Sequence, residues 1–356
     1  MNTKVKQILE LAVANGASDI HLSVSTLPKL RVNGELIDVA NFDISNPSAT
    51  TEMILSLLTD EQKVKFTAEK ELDFSVTMDN ARFRVNIYLQ RGEVRCALRV
   101  VPSAIPSFND LKLPDIFSEI VNYKQGCVLV TGPTGHGKST TVASVLNRIN
   151  EERKAHVITI EDPIEYILKP NKSVISQREL GNDTLSFSAA LKSVLRQDPN
   201  VVFVGEMRDL ETITSALTIA ETGHLVFSTL HTNSASQTVD RIVDVFPEGS
   251  KDQIKVQLAS VITAIISQRL VPAIDGGRVP VFEILVATPA VKNAIREGKS
   301  FMLDNIIQTS ADLGMVGLET SLSKLVHQGV ITEEVAMSYS LRPSELQSNL
   351  RSFKKL

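Results

Sequence analysis

GCVLVTGPTGHGKST, residues 126–140, is an apolar run of strand length that breaks into a glycine-rich turn and then into residues suited to open a helix. Gly132, Gly137, Lys138 and Ser139 fit the spacing G-x-x-x-x-G-K-[ST], and a strand before it and a helix after it are the context in which that spacing means a phosphate-binding loop. Glycines let successive backbone N–H groups turn inward, Lys138 can reach the terminal phosphates, and the Ser139 hydroxyl is placed to ligate Mg²⁺. A plain turn has no use for a lysine and a hydroxyl side by side.

Downstream of the loop, strand and helix patterns alternate: strand 156–160, helix 187–196, strand 201–205, helix 209–221, strand 224–230 and helix 234–244. That alternation predicts a parallel sheet covered on both faces. Ligands bind beyond the carboxyl ends of the strands in such sheets, so the residues just past each strand are the ones to inspect. The strand His156–Ile160 ends in Glu161-Asp162-Pro163, and Val201–Val204 ends in Gly205-Glu206. The apolar residues VVFV before Glu206 look like the second nucleotide-binding motif of P-loop proteins. Glu206 is therefore assigned to the metal, in part through water, and Glu161 to the base that orients or deprotonates the attacking water. A helix cap or surface acid is the alternative for either carboxylate alone.

His224 and His231 bracket the next strand, about 20 Å apart along an extended chain, so they do not share one contact. His231, at the carboxyl end, is placed to sense a γ-phosphate; His224 reads equally well as a structural or interface histidine. Metal binding by the pair is not expected, because they lack cysteine partners and do not face one way. Past residue 289 the chain becomes a run of short helices.

Upstream, Val5, Ile8, Leu9 and Ala12 predict a helix over 4–14, and Asn15-Gly16 ends it. Short strand patterns follow at 21–24, 30–32, 36–39, 73–78, 82–89 and 94–101, separated by turn signals such as Asn33-Gly34 and Arg91-Gly92, with one helix carrying Met53, Leu57 and Leu58 between them. This is an α+β module on an antiparallel sheet. Arg82, Arg84, Arg91, Arg95 and Arg99 cluster on its last strands, where a nucleotide or subunit contact and a solvated face both remain open. The proline-rich PSAIPSFNDLKLP, 102–114, reads as a linker.

A length of 356 residues accommodates two domains, and a net charge of −4 with a pI near 5.9 argues against nucleic acid as a partner. Cys96 and Cys127 fall in apolar strand patterns and read as reduced, buried thiols of a cytosolic protein. No apolar run is long enough to cross a bilayer, so a soluble chain is expected, reaching a membrane only through a partner.

Taken together, SDIHL (18–22), RFRVNIYLQRG (82–92), the phosphate loop, ITIEDPIEY (158–166), QREL (177–180), LRQDPN (195–200), GEMRDLET (205–212) and AETGHLVFSTLHT (220–232) resemble the type II/IV secretion ATPase family across nearly the whole chain. GEMRDLET and the lack of a tetracysteine element resemble its pilus-retraction branch. The resemblance implies an α/β protein with a PAS-like domain (1–101), a linker (102–115), a RecA-like ATPase core (116–288) and a C-terminal helical region (289–356). It further implies a homohexameric, Mg²⁺-dependent ATPase that drives pilus disassembly and twitching motility. The implied partners are an inner-membrane platform protein and a paralogous retraction ATPase, with the ring cytoplasmic and peripheral to the inner membrane. By motif match it makes Gly132, Pro133, Thr134, Gly135, His136, Gly137, Lys138, Ser139 and Thr140 the ATP-binding loop. It makes Glu161 the catalytic glutamate, Glu206 the metal-side glutamate and His224 with His231 the histidine box, and it joins Arg82, Arg84, Arg91 and Arg99 to nucleotide binding. An accessory retraction or secretion ATPase and a nucleotide-gated scaffold with little turnover are the alternatives. His136 stands where the family usually has serine, and Ala290–Ala294 reads AVKNA where retraction motors typically read AIRNL.

Overall fold

The computed structural model describes every residue except 25, 33, 41–45, 79–80, 102–103 and 354–356. Asn33 of the expected turn and Pro102-Ser103 of the expected linker lie outside the described residues. The chain forms two compact units, residues 1–104 with 165–167, and residues 105–164 with 168–356.

The first unit opens with α1 (Thr3–Ala14), whose buried face is Val5, Ile8, Leu9 and Ala12 and whose first turn is capped by the Asn2 side chain, which accepts from Lys4 N–H at 2.8 Å. Strands β1 (Asp19–Ser23), β2 (Lys29–Val32) and β3 (Glu35–Asp38) follow, then α2 (Pro47–Leu55), α3 (Asp60–Glu69), β4 (Glu71–Met78), β5 (Ala81–Gln90) and β6 (Glu93–Val101). The sequence pattern suggested one helix where the structure has two. Leu57 and Leu58 are buried in the turn between them, and a Thr59/Gln62 capping box starts α3 afresh. The antiparallel order is β3-β2-β1-β6-β5-β4.

Alternation puts Phe83, Val85 and Ile87 in the core and leaves the other face polar. On that face Arg84 stands opposite Arg99, and Arg99 opposite Asp19. Asp19 accepts from Arg99 Nε at 2.9 Å, and Arg31 Nε lies 3.8 Å away. Arg91 and Gly92, with φ of 54° and 81°, form the tip of the β5–β6 hairpin, as a two-residue turn with both central φ positive requires.

In the second unit α4 (Ile116–Ile120) precedes β7 (Gly126–Thr131), α5 (Lys138–Glu152), β8 (His156–Glu161), β9 (Val174–Glu179), α6 (Phe187–Val194), β10 (Val201–Val204), α7 (Leu210–Glu221), β11 (Leu225–Leu230) and α8 (Ala235–Asp244). Next come α9 (Lys251–Val261), β12 (Ile262–Pro272), β13 (Arg278–Val286), α10 (Pro289–Arg296), α11 (Leu303–Thr309), α12 (Leu318–His327), α13 (Glu333–Tyr339) and α14 (Pro343–Phe353). The sheet order is β13-β12-β7-β11-β10-β8-β9, parallel except for β13, which runs antiparallel to β12 at the edge. Both faces are covered. Cys127, Leu129, Val202 and Val226 pack under α6 to α10, while Val128, Val130, Val201 and Phe227 pack under α4 and α5. A separate cluster joins Val271, Val279 and Val281 of the β12–β13 hairpin to Leu318, Leu322, Ala336 and Leu346 of the C-terminal helices.

Candidate active site

The loop between β7 and α5 turns on glycines: Gly132 has φ 141°, Gly135 78° and Gly137 82°. At Gly132 a methyl group would lie 2.2 Å from the Gln268 carbonyl oxygen, so the close approach to β12 excludes any larger residue. Gly137 is the N-cap of α5 and offers no capping side chain, leaving first-turn N–H groups pointing out of the helix toward the loop. Uncapped donors at a helix start, with a lysine over them, fit a phosphate chain. Lys138 is buried and its ammonium donates to the carbonyls of Gly132 (2.8 Å) and Pro133 (3.1 Å). Burial pulls its pKa down from the ordinary lysine value, and the Glu206 charge works against that shift. Ser139 is exposed at the head of α5.

Strand order brings the downstream residues alongside. From β7 the sheet steps to β11, β10 and β8, so His231, Glu206 and Glu161 follow the loop along one carboxyl edge. His231 bridges them: Nδ1 lies 3.2 Å from Thr134 Oγ1 and 3.4 Å from Lys138 Nζ, and Nε2 lies 3.2 Å from Glu206 Oε1. The other Glu206 oxygen takes Arg208 Nη2 at 2.7 Å. Burial pushes the Glu206 pKa up, but the Arg208 hydrogen bond and the charges of His231 and Arg208 outweigh it and hold the carboxyl below its usual range. With both oxygens engaged, Glu206 suits a metal reached through water. Among the described residues no cluster of three or more His, Cys, Asp or Glu could hold a metal ion by itself; Ser139 and Glu206 carry oxygen donors of the kind Mg²⁺ takes.

Glu161 ends β8, is 7% exposed, and its Oε1 accepts from Thr159 Oγ1 (2.6 Å) and Gln177 Nε2 (3.2 Å). Those donors fix its rotamer. Asp162 is exposed. His224 is not part of this group. It precedes β11 at the opposite edge of the sheet, where Nδ1 lies 3.0 Å from the Ile219 carbonyl and 3.1 Å from Thr222 Oγ1, closing the turn after α7. Arg82, Arg84, Arg91 and Arg99 lie in the first unit.

Three loop supports escaped the sequence reading. Gln268, 3% exposed, donates from Nε2 to the His136 carbonyl (2.9 Å) and accepts from Thr141 Oγ1 (2.7 Å); Leu270 N–H donates to His136 Nδ1 (2.9 Å); Arg278 donates to the Gly135 carbonyl (3.1 Å). No local signal marks them, because they belong to a hairpin far along the chain. Beside the loop a cavity of about 340 Å³ opens between Gly137, Thr140, Leu270, Arg278 and Asp110, large enough for the nucleoside end of a ligand whose phosphates enter the loop.

A parallel sheet with a glycine loop on its first strand, an uncapped helix behind it and two glutamates on neighbouring strand ends defines a P-loop ATPase. Within that class the chain belongs to the type II/IV secretion system protein family, whose pattern matches residues 1–278. It is 49% identical over 311 residues to the twitching motility protein of Neisseria gonorrhoeae, covering 87% of this chain and 83% of that one. It is 43% identical over 333 residues to the type IV pilus retraction ATPase PilT of Pseudomonas aeruginosa, covering 93% and 96%. Its fold is similar to the crystal structure of the pilus retraction motor PilT with bound ADP, with a TM-score of 0.90 at 45% identity over 98% of this chain and all of that one. Among the described residues no helix is long and apolar enough to cross a membrane.

Proposed function

We propose that this chain is a Mg²⁺-dependent ATPase motor that assembles into a homohexamer and powers retraction of a type IV pilus, acting at the cytoplasmic side of the inner membrane through a platform protein and beside a paralogous retraction ATPase. The retraction-motor relatives support this reading. The observation that carries the chemistry is the continuous polar line from Lys138 through His231 to Glu206, with Glu161 one strand further on.

In this reading Lys138 and the α5 N-terminus hold the β- and γ-phosphates, and Ser139 with Glu206 serves the metal. Mg²⁺, if held there by Ser139 and Glu206, would offset negative charge on the β- and γ-phosphates. Glu161, aimed by Thr159 and Gln177, positions the attacking water and takes its proton. His231 ties Thr134 of the loop to Glu206, so loss of the γ-phosphate changes the surroundings of both. Arg82, Arg84, Arg91 and Arg99 are assigned to nucleotide contact, and His224 to the turn that it closes. The working parts are residues 1–101, the linker 102–115, the core 116–288 and the helical region 289–356.

The test is Glu161→Gln in the full chain. ATP binding stays within about twofold of wild type, while steady-state hydrolysis falls by roughly 100-fold or more, the range expected for removal of a general base. Hydrolysis near the wild-type rate would remove Glu161 from the chemistry. A strain lacking the gene should be hyperpiliated and unable to twitch, and normal motility would end the retraction assignment.

A further inference from the structure

β12 outruns its parallel neighbour. Its pairing with β7 ends at Ser267 opposite Thr131, yet β12 continues to Pro272. Beyond Ser267 the edge that β7 has left is occupied by the phosphate loop, so the main-chain groups of that edge must find partners in the loop. At Leu270, whose β13 neighbour across the hairpin is Pro280, the N–H points to the loop side and its acceptor is the imidazole Nδ1 of His136 at 2.9 Å.

We propose that His136 is a positioning residue for nucleotide binding: its imidazole supplies the acceptor that β7 no longer provides and so pegs the loop to β12 before a nucleotide arrives. The proposal rests on reading the loop as the ATP site. The imidazole side of this bond is chemically constrained. A ring nitrogen that accepts a backbone N–H is unprotonated, so the proton of neutral His136 sits on Nε2. The charged groups facing the ring are Arg269 of β12, Arg278 of β13 and Lys138 at the start of α5; burial first, then these three cations, favour the neutral form. The backbone of the same residue is held too, by Gln268 Nε2 on its carbonyl at 2.9 Å. One loop residue is thus gripped twice, its main chain by the Gln268 side chain and its side chain by the Leu270 main chain, two residues apart on β12.

Two variants separate this role from a merely structural one. His136→Leu keeps comparable bulk without an acceptor, whereas His136→Asn places Oδ1 where Nδ1 stood. Hydrogen exchange of the β12 segment containing Leu270 is measured in the nucleotide-free full-length protein, alongside the ADP dissociation constant. The expected result for His136→Leu is exchange of the Leu270 amide and ADP dissociation constant each raised about three- to tenfold, the scale of one neutral hydrogen bond. His136→Asn returns both to near wild type. Unchanged Leu270 exchange in His136→Leu, or an Asn variant as defective as the Leu variant, overturns the proposal. If the wild type bound no nucleotide the ATP reading itself would fail, and Leu270 exchange would still decide whether His136 is the peg.

Discussion

Lys138 uses its ammonium on two carbonyls of its own loop, Gly132 and Pro133, which holds the loop closed around a position that an anion can take. Replacing it with alanine removes charge-assisted hydrogen bonds worth about 1.5–3 kcal/mol. Lys138→Ala should therefore weaken ATP binding by roughly 10- to 100-fold in a calorimetric titration; an unchanged dissociation constant would contradict the role. The two thiols make a different residue-scale prediction. Cys96 and Cys127 are free and buried, and burial raises both pKa values, that of Cys127 to about 12. A thiol-specific reagent at pH 8 should label neither in the native protein and both in denaturant, because the thiolate is the reactive form. At this scale the places of Lys138 and Ser139 at the head of α5, and of Glu161 and Glu206 at strand ends, were legible because a local motif or a neighbouring apolar strand marks each. Gln268 and Arg278 were not, since their partners lie more than a hundred residues away in sequence.

Elements explain where that legibility stopped. The alternation of strands and helices could be read as far as α8, because turn residues separate those elements. From Val261 to Ile262 a helix passes directly into a strand within one apolar run, and periodicity cannot divide such a run between the two. β9 is hidden for another reason: it is a mostly part-exposed edge strand whose residues carry no apolar pattern. The hidden β13 holds the least expected group in the fold. Glu283 is fully buried; its Oε1 accepts from Ala235 N–H at 2.7 Å, and its Oε2 has no hydrogen-bond partner among the described residues and lies 3.7 Å from Arg342. Arg342 also pairs with Asp304 of α11, Glu319 of α12 and Glu345 of α14, so one guanidinium serves four carboxylates on four elements. Burial raises the Glu283 pKa from 4.5 to about 7. In that window the unfolded chain releases the proton while the folded chain keeps it, so this group makes stability fall as pH rises from 4.5 to about 7 and changes nothing outside it. The penalty at pH 8 is on the order of 3 kcal/mol. Glu283→Gln should flatten that part of the melting-temperature profile and match wild type most closely near pH 4.5. An unaltered slope in thermal melts would show that the carboxyl does not titrate there.

At the scale of the whole molecule, charge sets what the surface avoids. With 41 acidic and 37 basic residues the chain is net −4, and a polyanion gains nothing by approaching such a protein non-specifically. Fluorescence anisotropy with a duplex of arbitrary sequence at about 50 mM salt should register no binding, where a basic nucleic-acid motor would bind and release steeply with salt. Salt-sensitive binding would reopen the case for a nucleic-acid motor. The direct passage of α9 into β12 also has a bearing on how the chain tolerates change in length. Side chains along a strand alternate, so one residue added or removed at Val261-Ile262 would carry Ser267 or Arg269 into the place of Gln268 and turn the loop's support away from it. The tip of the β12–β13 hairpin sets no such register: Asp275 and Gly276 are exposed and lie beyond the last pair, Pro272 with Arg278. A fluorescent reporter or affinity tag inserted between those two residues leaves the reading frame of both strands intact.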